Sequence, residues 1–124
     1  MPTPTPTASI SAVAGTWTTI IRVQQGAGLM TWVLAQNGTV VSGDVHAGTL
    51  NGARLVTGTL AGSLQGDVLF FTITVPAGGF VFDPSCASTV EGFGNVRGSE
   101  IRGVYAGGAS CAGVFNGEFV MTKQ

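Results

Sequence analysis

Residues 43 to 67 read GDVHAGTLNGARLVTGTLAGSLQGD. Polar and apolar positions alternate as in half-buried β-strands, yet a glycine falls every few residues. An interior strand glycine adds unfolded-state entropy and offers no side chain to pack. A chain of 124 residues that carries 20 glycines must therefore use them for turns, sharp bends or close backbone approach. From Gly15 onward no ten-residue segment places its apolar residues at helical spacing, whereas period-two alternation of β-branched and aromatic residues is general. The chain reads as all-β, a Pro/Thr-rich segment over residues 1–14 followed by one domain over 15–124.

Turn residues divide the domain into strands. In MTWVLAQNGTVVSGDV, Asn37 and Gly38 suit a two-residue primed turn with positive backbone angles at both positions. Closing Gln36 on Thr39 would set Leu34 opposite Val41, Trp32 opposite Gly43 and Met30 opposite Val45, all on the buried face. Asn51 with Gly52 and Gln65 with Gly66 mark two further turns, aligning Val56, Gly58, Leu60 and Gly62 beside Leu69, Phe71, Ile73 and Val75. In TVEGFGNVRGSEIRGVYAGG, a Gly98-Ser99 turn closes Arg97 on Glu100. That register pairs Val96 with Ile101, Gly94 with Gly103 and Gly92 with Tyr105, and its continuation sets Cys86 opposite Cys111.

With GTWTTIIRV counted first, eight strands follow one another through short connections, and none is long enough for a parallel crossover. The expected architecture is an eight-stranded antiparallel up-and-down β-barrel; the alternative is a two-sheet β-sandwich. A sandwich disulfide of the immunoglobulin kind joins two sheets across a core tryptophan, whereas these cysteines bracket one hairpin. Eight strands enclose an interior that side chains fill or that holds one small ligand. The turns at Asn37, Gln65 and Gly98 fall at one end of a meander and the longer connections at the other, which predicts a closed base and an open mouth.

Composition narrows the partners. Five Lys and Arg stand against six Asp and Glu, so there is no basic footprint for nucleic acid and no polybasic patch for a membrane surface. Charged residues make up 9% of the chain against about 25% in an average domain, a balance common in exported β-proteins. No run approaches the ~20 apolar residues of a membrane-spanning helix. The two cysteines lack CxxC spacing and a companion His cluster, which argues against a metal site and for a disulfide in an oxidising compartment. The opening MPTPTPTASISAVAG has neither the basic nor the apolar region of a signal peptide. It reads as an extended tether outside the core, left when an export signal is removed. The location expected is secreted, periplasmic or tethered to the cell surface.

Gly15, Thr16 and Trp17 opening the first strand, with Lys123 ending the last, resemble the calycins, the lipocalin and avidin barrels. The resemblance implies that Trp17 plugs the closed base under the Lys123 side chain. The chain departs from the group in having no C-terminal helix and only two tryptophans, so biotin binding is not carried over.

Arg22, Asp44, Glu91, Arg102 and Glu118 fall on outward positions, which leaves an apolar lumen. Its candidate ligand-binding residues are Met30, Trp32, Leu34, Leu60, Phe71, Ile73, Tyr105, Phe115 and Phe119, with Ile21, Val23, Val56 and Met121 also inward and Thr19 and Tyr105 as polar points. Such a lining suits a small apolar or amphipathic molecule; the alternative is that these side chains fill the barrel. Phe80 and Phe82, in PAGGFVFDPSC, are candidate lid residues over the mouth, or else part of a short rim strand. His46 is alone and outward, no strained nucleophile is marked, and the carboxylates are scattered. The expectation is a binding protein with no cofactor and no catalytic residues, the alternatives being a protease-inhibitor-like barrel that binds proteins through its mouth loops, or a purely structural barrel.

Overall fold

The computed structural model describes residues 12–23, 26–50, 54–79, 85–111 and 113–124. Eight strands follow in chain order: β1 (Gly15–Val23), β2 (Gly26–Asn37), β3 (Val40–Thr49), β4 (Arg54–Gln65), β5 (Val68–Val75), β6 (Ser88–Arg97), β7 (Glu100–Ala109) and β8 (Gly113–Lys123). Each pairs antiparallel with its sequence neighbour, and β8 returns to β1 through Trp17 with Lys123 and Thr18 with Thr122. The sheet is a closed barrel, as the alternation predicts, and not a sandwich.

The amount of stagger can be read from the pairing. A row of partners followed once around, from Thr16 through Val33, Asp44, Thr59, Thr74, Thr89 and Gly108, arrives at Val114. The carbonyl of Thr16 accepts from the amide of Gln124, so the row closes ten residues out of step. With ~3.3 Å per residue and ~4.8 Å between strands, that stagger tilts the strands about 40° and gives a backbone radius of about 8 Å. Strands wound this tightly bring neighbouring backbones close on the inner face. A Cβ built on Gly103 would fall on the carbonyl oxygen of Phe93, with the Cα of its partner Gly94 2.5 Å away. Only glycine fits there, which accounts for inward glycines in strands that otherwise favour bulk.

Three tight turns form the base. Gly38, Gly66 and Gly98 have φ of 62°, 63° and 60°, while Thr39, Asp67 and Ser99 after them do not take positive φ. A positive angle at the first central residue alone is the type II′ arrangement. Each turn is joined to the next strand: the carbonyls of Thr39, Asp67 and Ser99 accept from the amides of Leu64, Val96 and Lys123 at 2.8, 2.7 and 2.8 Å.

The β2–β3 register differs from the expected one. Asn37 stays in the strand opposite Val40, so Trp32 faces Val45 and Leu34 faces Gly43. The turn needs one left-handed residue, and Gly38 supplies it without Asn37. Because the offset is two residues, every side chain keeps its face. The Gly98 hairpin has the register read from sequence, with Gly94 on Gly103 and Gly92 on Tyr105.

Candidate functional site

The lumen fills from the base upward. Val41, Leu64, Leu69, Val96 and Ile101, within a few residues of the base turns, are all buried, as are Trp17 and Met121. Trp17 is sealed from two sides: its indole N–H donates to the Val13 carbonyl at 2.8 Å, and the Lys123 ammonium lies 5.7 Å from the ring centre. Val13, inside the segment read from sequence as a tether, is fully buried, and its amide donates to Gln36 Oε1. Val13, two residues before β1, thus belongs to the core, while Ala12 and Ala14 beside it are exposed. The alternation that marks strands could not show this, because Val13 precedes the first one.

Above this floor, Trp32 of β2, Phe71 of β5 and Phe119 of β8 converge from strands spread around the ring. Their ring centres lie 5.0, 5.6 and 5.5 Å apart, in tilted and edge-to-face arrangements that aromatic quadrupoles favour. Tyr105 joins through Phe119 at 6.5 Å. The rings fit because the wall facing them lacks side chains: a Cβ on Gly92 would stand 2.7 Å from the Phe71 ring tip. Leu34, Leu60 and Ile73 are buried in the same cluster.

Toward the mouth the burial changes. Val75 and Ser88, a mouth-end pair of β5 and β6, are buried, whereas Met30, Val56, Val90 and Tyr105 lie on the inner face and pack on the core, yet remain partly exposed. Of the expected lining residues, the structure brings Met30, Trp32, Leu34, Leu60, Phe71, Ile73, Tyr105 and Phe119 into one continuous interior. Phe115 pairs with Gly107 in β8, but its side chain, like those of Ile21 and Val23, lies outside the description, as do Phe80 and Phe82. Asp44, Glu91, Arg102 and Glu118 are exposed on the outer wall, as parity requires.

One polar atom stands out. Trp32 is 1% exposed, and its Nε1 meets no hydrogen-bond acceptor among the described residues. Sequence could place this indole in the lumen but could not show whether a partner reaches it.

At the mouth, Cys86 and Cys111 form a disulfide with Cα atoms 5.3 Å apart. The Ala87 amide donates to Ser110 Oγ at 3.0 Å, the Ser110 amide to the Ala87 carbonyl at 2.8 Å, and Ser88 Oγ to the Gly108 carbonyl at 2.9 Å. The segment after β5 folds back, and the carbonyl of Gly79 accepts from Thr57 of β4. Two concavities of about 330 and 470 Å³ lie on the outer wall beside Phe70 and Glu91 and at the rim beside Ser88 and Val114. His46, partly exposed on the outer wall, has its pKa lowered by burial and by Arg54, against an opposing effect of Asp44. Among the described residues no three His, Cys, Asp or Glu gather as a metal site would require. No family model, curated protein or solved structure matches the chain.

Proposed function

We propose that the barrel is a calycin-like binding protein that holds one small apolar or amphipathic molecule in the mouth half of its lumen without transforming it. The observation that carries this reading is the change in burial along the inner face. Side chains near the base turns are sealed; in the mouth half Val75 and Ser88 are buried as well, but Met30, Val56, Val90 and Tyr105 point inward and still meet solvent. Inward apolar surface in contact with water at one end of a closed barrel is the usual form of a ligand mouth. The aromatic cluster would be the floor of the site. The disulfide and the charge-poor sequence support an oxidising location: secreted, periplasmic or held at a cell surface.

A second reading, protein binding, draws on the outer wall. Phe70 and Phe93 are exposed neighbours with ring centres 5.9 Å apart, and Val104 continues the row on β7.

Native mass spectrometry of the purified protein, followed by titration with an apolar fluorescent probe, tests the proposal. Met30→Lys should abolish probe binding, while Val104→Lys on the outer wall should leave it unchanged. A protein that excludes every probe, or that binds equally well with Lys at position 30, contradicts lumen binding. Loss of binding only in the Val104 variant would favour the outer wall.

A further inference from the structure

The two tryptophans are provided for differently. Trp17 has an acceptor built into the chain, the Val13 carbonyl, whereas the Trp32 indole N–H is buried with none among the described residues. Folded proteins keep few such groups because an unpaired buried donor loses its hydration without return. Phenylalanine would fill most of the same space at no such cost. The ring lies on Phe71 and Phe119 at the boundary between the sealed floor and the partly exposed mouth lining. Met30, packed on the buried core and two residues before Trp32 on the mouth side of β2, is an unbranched, flexible side chain that can give way to an entering molecule.

Resting on the lumen site argued above, we propose that the Trp32 indole N–H is its polar anchor, and that the ligand is an uncharged, mainly apolar molecule offering one acceptor oxygen, as in a ketone, ester or lactone. The charge pattern sets the class. Asp44, Glu91, Arg102 and Glu118 are exposed on the outer wall, and Lys123 lies over Trp17 at the base. A carboxylate brought to Trp32 would give up its hydration for one neutral donor. A pure hydrocarbon would leave that donor unpaired.

The test titrates wild type and Trp32→Phe with methyl heptyl ketone, nonane and nonanoate, and follows the two indole N–H resonances by NMR. Trp32→Phe should bind the ketone about five-fold more weakly than wild type does, the usual worth of one net hydrogen bond. Nonane, which has no carbonyl to desolvate or to pair, should bind both proteins alike, and in wild type the ketone should shift the Trp32 resonance and leave that of Trp17 in place. If both proteins bind ketone and nonane alike and the resonance stays still, the N–H is spent on a neighbouring ring face and the anchor assignment fails while lumen binding stands. Tightest binding of nonanoate overturns the ligand class, and binding of none of the three overturns the lumen site itself. If Trp32→Phe does not fold, the wild-type affinities and resonance shift decide the question.

Discussion

Gly103 and Gly108 lie in the same strand, β7, and the same substitution at each should have opposite effects. A Cβ at Gly103 would overlap the Phe93 carbonyl oxygen and come within 2.5 Å of the Gly94 Cα and 2.8 Å of the Phe93 carbonyl carbon. All three obstacles are backbone atoms of the paired strand, so no rotamer change relieves them. Overpacking of this kind costs about 3 kcal/mol, the upper end of the usual range. Replacing glycine returns about 0.7 kcal/mol by restricting the unfolded chain, so Gly103→Ala should lose about 2 kcal/mol. At Gly108 the nearest atom to a built Cβ is 3.5 Å away, an ordinary contact. Gly108→Ala should therefore gain about 0.5 kcal/mol from the unfolded-state effect alone. At roughly 4 °C per kcal/mol for a chain of this size, Tm should fall by about 8 °C in the first variant and rise by about 2 °C in the second. Scanning calorimetry of both variants with the disulfide intact is the assay. A Gly103→Ala protein as stable as wild type would refute the claim that the inward glycines are required by close backbone approach in a tightly wound barrel.

Replacing both cysteines by serine removes a cross-link of sequence separation 25, which should cost about 3.5 kcal/mol by the loop-entropy relation. Urea unfolding measures it, and an unchanged midpoint would contradict the expectation. Lys123→Ala removes the cation over Trp17 and should cost about 0.5–1 kcal/mol, with stronger acrylamide quenching of tryptophan fluorescence as the base opens; unchanged quenching would mean that Lys123 is not the cover. The pKa of His46 is depressed, chiefly by burial, so the unfolded chain takes up the proton first as pH falls. Stability should be lost from about pH 6.5 downward through the folded pKa, with no effect above that window. His46→Gln should show a smaller drop in Tm between pH 7 and pH 5 than wild type, and equal drops would remove His46 from the acid response.

Parity made most of the fold legible. It assigned Trp32, Leu60, Phe71 and Phe119 to the inner face and Asp44, Glu91 and Glu118 to the outer one, and those assignments survive a two-residue error in the β2–β3 register. The Gly98 turn and the cysteine pair supported the same ladder because a hairpin is a local structure. Height in the barrel was harder to read, since it depends on registers accumulated around eight strands. Sequence therefore could not tell that Leu69 and Ile101 lie in the sealed floor while Val90 and Tyr105 reach solvent. Burial of Val13 was hidden for a different reason: it is a single residue held by one hydrogen bond to Gln36 and by the Trp17 indole, with no periodic pattern around it. That no acceptor among the described residues reaches Trp32 Nε1 is a property of the assembled interior, and no local signal encodes it.

Lumen binding is tested most directly by intermolecular nuclear Overhauser effects between the protein and bound methyl heptyl ketone. The ketone chain should show contacts to the Met30 methyl, to Val56 and Val90, and to the Tyr105 and Phe119 rings, all on the inner face. Contacts confined to Phe70, Phe93 and Val104 would place the ligand on the outer wall and contradict the account.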